Sequence, residues 1–171
     1  MSWLPTFGGI RFHFSEDRNV ITITDIARSL SMQCRYNGHV LRFYSVAEHC
    51  VLLSRAVAPK NARWALLHDA AEAYIGDMVH PLRQQLPEFG RIDERITAQI
   101  YRRFGLATAT PEQVKSYDRR IVLDEADVLT WWDPSEWPPL RGYKPLGVAV
   151  TGWSPDRAEA EYLSRFRQLF K

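Results

Sequence analysis

Cysteine is scarce in this chain: Cys34 and Cys50 are the only two in 171 residues. They form neither a CxxC nor a zinc-finger spacing, so a cysteine zinc site and a disulfide framework are both excluded. In a chain long enough to bury its own core, two cysteines suit reduced thiols, with a lone disulfide as the other reading. Charge of one sign is also missing. Lys and Arg number 22 against 20 Asp and Glu, a net of +2, which is no electrostatic footprint for a nucleic-acid polymer. Any basic surface is expected to be local and to serve a small anion. No apolar run approaches the roughly 20 residues that span a bilayer. The opening MSWLPTFGGIRFHF lacks a basic stretch followed by an apolar one, so it is not a signal peptide, and a soluble cytoplasmic protein is expected. Repeats, low-complexity tracts and linkers are absent too, and residues 1–171 are expected to form a single domain.

What is present is helical patterning. Ile10, Phe12 and Phe14, then Ile21 and Ile23, flank a polar SEDRN stretch, which predicts a short β-hairpin over residues 10–24. Thr24 or Asp25 is expected to cap a helix carrying Ile26 and Leu30, with a turn at Asn37 and Gly38. Ser45 and Glu48 read as a capping box opening a helix over 46–57. A second helix is expected over 61–75, stopped by Gly76. Ile92, Ile96, Ile100 and Phe104 stand at steps of four in a third, over 88–104. Thr110, Pro111 and Gln113 read as another capping box, opening a helix to about residue 131. Residues 132–153 hold four prolines and four Trp or Tyr and read as a loop packed down by aromatic anchors. Ser154 and Pro155 begin a final helix. The expected class is mostly α with a short N-terminal hairpin.

The chemistry concentrates in WALLHDAAEAYIGD, residues 64–77. His68, Asp69 and Glu72 fall near one face of an otherwise apolar helix. A bound divalent cation is one partner that lets carboxylates lie there; a solvent-facing polar stripe is the other reading. His49 follows the first capping box among Val46, Ala47, Val51 and Leu52, where a satisfied core histidine is the alternative. Asp118 and Glu125 sit inside the apolar stripe of Val114, Tyr117, Ile121, Val122, Val128 and Leu129, a local inconsistency of the kind found at functional sites. For Asp118 the competing reading is a buried ion pair with Arg119 or Arg120. Two imidazoles and two carboxylates would suit Mn²⁺, Co²⁺, Fe²⁺ or Zn²⁺ and leave positions open, whereas an all-oxygen Mg²⁺ site would not use histidines.

The ordered series of a histidine, an HD pair and a further aspartate, with flanks DIARSL, CRYNGH, FYSVAEHC, ALLHDAAEAYIGD and VKSYDRRIVLDEAD, resembles the HD-domain phosphohydrolases over about residues 10–130. Within them it is similar to the bacterial and phage branch of 5′-deoxynucleotidases and small deoxynucleoside triphosphate triphosphohydrolases. The resemblance implies a helical HD-domain bundle with His49, His68, Asp69 and Asp118 as metal ligands. It matches Glu72 and Asp77 to acidic residues acting beside the ion or a second ion, and Arg35 to a substrate-phosphate contact. Tyr36 follows Arg35 where nucleotidases of that branch carry tryptophan. A homo-oligomer is implied on the same ground.

The mechanism expected has Glu72 orienting or deprotonating the attacking water, Asp77 protonating the leaving oxygen or holding a second ion, and Arg35 gripping phosphate. Lys115 lies three residues before Asp118 and can reach the same anion. His39 and His80 are candidates to line the pocket, while His13 reads as structural. Tyr36, Trp64 and Tyr74 are candidates to stack on a base, with core packing as the alternative. The leading expectation is hydrolysis of a nucleoside 5′-monophosphate. A triphosphohydrolase is the second, and would need more cations; Arg63, Arg83 and Lys115 are available. A non-catalytic nucleotide-binding module would have no need of Glu72 and Asp77. Di-iron oxidative chemistry and cyclic-dinucleotide cleavage would need more histidines than His39 and His80.

Overall fold

Thr22, one turn ahead of the expected start, caps the first helix: its hydroxyl accepts from the Asp25 backbone N–H at 3.1 Å, and α1 runs Ile23–Met32. The computed structural model describes residues 3–171. Among them the architecture is mostly α-helical with a two-stranded antiparallel hairpin before the helices. The hairpin is not the expected one. β1 (Trp3–Pro5) pairs with β2 (Arg11–His13), Leu4 opposite Phe12, and Gly9 at φ 76° turns the chain between them. Residues 21–23 do not pair with β2 because the Asn19 side chain takes that edge. Its Oδ1 accepts from the His13 N–H at 2.8 Å and its amide donates to the His13 carbonyl at 3.0 Å.

The remaining helices are α2 (Val46–Ala56), α3 (Ala62–Leu67), α4 (Glu72–Ile75), α5 (His80–Arg83), α6 (Pro87–Arg103), α7 (Glu112–Leu129) and α8 (Pro155–Leu169). None is long and apolar enough to cross a membrane among the described residues. α2 and α3 are central. Leu53, Leu66 and Leu67 are fully buried beside Ile26 and Leu30 of α1 and Ile96 and Ile100 of α6. α8 lies across α1, α2 and α3, and its buried Tyr162 hydroxyl donates to the Leu66 carbonyl at 2.8 Å.

The helix expected over 61–75 is interrupted at the HD pair. Over residues 68–71 the chain tightens: Ala70 N–H donates to the Leu67 carbonyl at 3.1 Å and Glu72 N–H to the Asp69 carbonyl at 3.0 Å, bonds to the third residue back rather than the fourth. α4 resumes and stops at Gly76, φ 81°.

Neither capping box closes as expected. Ser45 Oγ accepts from the Glu48 N–H at 3.1 Å, but the fully buried Glu48 carboxylate crosses to the far end of the chain. There it accepts from the N–H groups of Thr151 (3.3 Å), Gly152 (3.1 Å) and Trp153 (2.5 Å). α7 begins at Glu112 with Pro111 at the cap position and no side-chain cap. Thr110 instead bonds the Tyr101 hydroxyl, and Gln113 accepts from Asn61 and the Ala58 N–H. Asp124 of α7 holds the N–H groups of Leu146, Gly147 and Val148 at 2.7, 2.7 and 3.0 Å. The loop between α7 and α8 is therefore fastened by two carboxylates as well as by buried Leu140, Val150 and Trp153. Not all of its aromatics are anchors, since Trp131 at its start is 91% exposed.

Glu48→Ala would leave three amides of residues 151–153 without their acceptor, at a cost of about 3 kcal/mol. Urea denaturation should show a lowered midpoint with an unchanged slope; a wild-type midpoint would mean that the staple contributes nothing.

Candidate metal centre and its cavity

His49 is carried into the core by the first turn of α2 and is fully buried. Its Nδ1 lies 2.6 Å from Glu125 Oε1 on α7. Its Nε2 faces His68 Nε2 at 3.3 Å, Asp118 Oδ1 at 3.2 Å and Asp69 Oδ2 at 3.6 Å. His68 Nε2 is in turn 3.1 Å from Asp69 Oδ2 and 3.6 Å from Asp118 Oδ1. The tightened turn after α3 allows His68 and Asp69, neighbours in sequence, to reach the same point. His68 Nδ1 is engaged by the Ala65 carbonyl at 2.9 Å, so Nε2 is the nitrogen offered to the cluster.

The imidazoles and carboxylates of the cluster hold one another charged. Burial pulls His68 toward its neutral form, but the charge of Asp69 and the hydrogen bonds to Asp118 and Asp69 together outweigh it, and the pKa lies well above the usual 6.5. Asp118 stays well below the carboxylate range despite burial, because His49 and His68 hydrogen-bond it. Transition metals bind imidazole nitrogen and carboxylate oxygen at about 2.0–2.2 Å, which places neighbouring donors roughly 3.0–3.6 Å apart. The separations given above, 3.1–3.6 Å, fit that requirement for the two imidazoles and for each imidazole with a carboxylate. His49, His68 and Asp118 gather as one triad and Asp69 falls with His68 and Cys50 in a second. The mixed nitrogen and oxygen donor set fits Mn²⁺, Co²⁺, Zn²⁺ or Fe²⁺. Cys50 lies on the other side of His68, Sγ 3.9 Å from Nδ1. Burial pushes its thiol up to about 11, so it stays a neutral thiol.

Two of the competing sequence readings are contradicted by this geometry, while His49, fully buried with both ring nitrogens partnered, also fits a satisfied core histidine. Arg119 and Arg120 do not pair with Asp118: Arg119 donates to the Tyr143 hydroxyl at 3.1 Å, and Arg120 to the carbonyls of Lys144 and Pro145. His68 and Asp69 do not form a solvated stripe, their side chains being only 9% and 19% exposed.

A cavity of about 890 Å³ opens over the cluster. Arg35, Tyr36, His39, His68, Asp69, Glu72, Asp77, Lys115 and Asp118 line it, while His49 lies behind the wall, so the ten candidate residues converge. Glu72 Oε2 is buried without a hydrogen-bond partner. Burial, then Asp69 and Asp77, raise its pKa well above the usual carboxylate value. Burial also raises Asp77. Arg35 sits between two carboxylates, Nη1 3.5 Å from Asp69 and Nη2 3.5 Å from Glu125. His80 and Arg83 are on the cavity wall, as are Trp132, Trp137 and Leu140, so the loop after α7 walls the cavity. Trp64 and Tyr74 are not on it. Trp64 donates to the Ala107 carbonyl and Tyr74 stacks on Phe12 at 4.0 Å; both pack the fold. Arg63 is turned away to the Leu169 carbonyl.

Two contributors carry no role in the sequence expectation. Glu125, seven residues beyond Asp118 on the same face of α7, was signalled by its place in the apolar stripe. Gln33 gave no signal: its amide donates to the Glu72 carbonyl at 3.1 Å and its oxygen accepts from the Asp77 N–H at 3.0 Å, spacing the two acidic residues.

No protein-family model matches the chain. Its sequence is 39% identical to the uncharacterized protein YfdR of Escherichia coli (strain K12) over 171 residues, covering 99% of this chain and 96% of that protein. The uncharacterized protein RCAP_rcc00048 of Rhodobacter capsulatus is 32% identical, over 88% of this chain and 86% of that one. The fold and site define a mostly helical protein with a histidine and aspartate cluster set into the wall of a cavity. The chain belongs to the family of these two proteins.

A ligand of the folded state raises its stability in proportion to the logarithm of its concentration above Kd. Mn²⁺ or Co²⁺ added to chelator-stripped protein should therefore raise the thermal midpoint of the wild type and of Arg119→Ala, and should leave Asp118→Ala unmoved. Equal responses of the wild type and Asp118→Ala would remove Asp118 from the ligand set.

Proposed function

We propose that the protein is a metal-dependent phosphohydrolase of the HD-domain type, acting in the cytoplasm on a small nucleotide. The leading reaction is hydrolysis of a nucleoside 5′-monophosphate, a deoxynucleotide, to nucleoside and phosphate. The observation that carries the reading is the placement of His68, Asp69 and Asp118 on the wall of a cavity, with His49 directly behind them, where a buried, unpartnered carboxylate and an arginine are also presented. The four would hold one divalent transition metal, which when bound makes water acidic enough to attack at neutral pH and neutralises phosphate oxygens.

The chain's own groups then have separate tasks. Arg35 binds phosphate through its planar fork, its Nε being buried with no protein partner. Glu72 Oε2, buried without a protein hydrogen-bond partner and outside the ligand cluster, accepts a proton from the attacking water. Asp77, on the same cavity wall, gives a proton to the leaving oxygen. The walls supplied by Tyr36, Trp132 and Trp137 are large enough to cover a nucleoside and exclude water.

Release of triphosphate from a deoxynucleoside triphosphate is the second reading, and one feature favours it. Arg83, Lys115 and Arg119 line the same cavity as Arg35, Arg83 paired with Asp93 and Lys115 3.8 Å from Glu112, so a longer phosphate chain would find cations there by displacing those carboxylates. Retention of Glu72 and Asp77 in the cavity counts against a module that only binds.

Chelator-stripped protein should cleave a nucleotide panel only after Mn²⁺, Co²⁺ or Zn²⁺ is returned, and chromatography of the products separates phosphate from triphosphate release. Glu72→Gln should keep the metal and lose about 10²–10⁴-fold in turnover. Full activity of Glu72→Gln would refute its role; tight metal binding without cleavage of any nucleotide would refute the phosphohydrolase.

A further inference from the structure

Glu125 is the group the mechanism above does not use, and it is the most heavily engaged side chain of the site. It is fully buried on α7. Oε1 meets His49 Nδ1 at 2.6 Å and accepts from the Tyr44 hydroxyl at 3.0 Å. Oε2 accepts from the Tyr36 hydroxyl at 2.5 Å and lies 3.5 Å from Arg35 Nη2. One carboxylate thus holds a metal-ligand candidate with one oxygen and the phosphate-gripping residues with the other.

The turn it holds is strained. In the segment Arg35–Gly38, Tyr36 and Asn37 both take left-handed backbone angles, φ 56° and 53°. Non-glycine residues persist there only when the surroundings over-determine them. The anchors on view are the Tyr36 and Arg35 contacts to Glu125, the Arg35 N–H donated to the Tyr44 carbonyl at 2.9 Å, and the His39 N–H donated to the Tyr36 carbonyl at 3.0 Å. Tyr44 therefore supports the turn through its backbone and Glu125 through its hydroxyl.

We propose that Glu125 is the positioning residue that joins the metal centre to the phosphate-binding turn. With one oxygen it fixes the His49 ring so that Nε2 faces His68, Asp69 and Asp118. With the other it sets Arg35 and the strained turn that carries it. This rests on the phosphohydrolase reading for the part concerning phosphate, but not for the part concerning metal. Glutamine at this position keeps the shape and can still accept from His49, yet it loses the charge and turns an N–H₂ toward the Arg35 cation.

The test uses full-length protein, Co²⁺ and inorganic phosphate as probes. Groups that orient a metal-bound histidine are worth about 10- to 100-fold in metal affinity. Glu125→Gln should weaken Co²⁺ binding by that factor and alter the visible Co²⁺ spectrum, and should also weaken phosphate binding to the Co²⁺-saturated protein. Tyr36→Phe removes only the bond on the turn side. It should weaken phosphate binding at least threefold while leaving Co²⁺ affinity and spectrum as in the wild type. An unchanged Co²⁺ affinity and spectrum in a folded Glu125→Gln overturns the proposal. If that variant does not fold, Tyr36→Phe decides, and wild-type phosphate affinity in it overturns the proposal. Failure of the wild type to bind Co²⁺ would instead sink the metal-centre reading beneath it.

Discussion

On the contact between His49 and Glu125 depend the placement of α2 against α7 and, through Tyr36 and Arg35, the shape of the turn before α2. Two fully buried ionisable groups are tolerable only if each is matched, because an unpartnered charge in a helical interior costs several kcal/mol. Matching them requires residues from three separate stretches of chain: 35–44, 49 and 125. Nothing about hydrophobic packing alone would hold those stretches in such a precise relation. The apolar core around Leu53, Leu66 and Ile100 supplies cohesion, and the polar network supplies the register.

A second use of buried carboxylates runs through the C-terminal part of the molecule. Glu48 and Asp124 each gather N–H groups from three successive residues of one loop. An irregular segment cannot satisfy its own amides as a helix does, so these side chains do the work of a partner strand. Gly147 and Gly152, at φ 76° and 74°, let the backbone turn its amides toward them. At Gly152 a Cβ would meet the Phe43 carbonyl oxygen at 2.8 Å, so this position requires glycine twice over.

The long periodic segments were legible in the sequence. Helices at 46–56, 87–103, 112–129 and 155–169 follow apolar spacing that survives in the fold. That His68, Asp69, Glu72 and Asp118 come together was signalled by ionisable residues placed on apolar faces, whereas His49 as their companion and Asp77 were reached only through the family resemblance. Partners that lie far along the chain were not. Glu48 was read as closing a local box because the box geometry is visible over four residues, whereas its true partners lie about a hundred residues downstream. The hairpin was misplaced for a similar reason: a polar side chain, Asn19, took the edge that alternation assigned to a strand. The break at residues 68–71 arises from the demands of the cluster, to which helix propensity is blind.

Glu48 and His49 are consecutive, yet one is answered from the loop before α8 and the other from α7. The first turn of α2 is thus wired to both later quarters of the chain at once, and its contacts are of very high sequence separation. Such contacts form only after long loops have closed, and loop closure is what slows folding. While the ribosome is still making the last quarter, α2 carries a carboxylate for which no donors yet exist. The N-terminal half can pack its apolar helices against one another, but the partners of Glu48 and His49 arrive only with the later chain, so the site comes into being as a property of the whole chain.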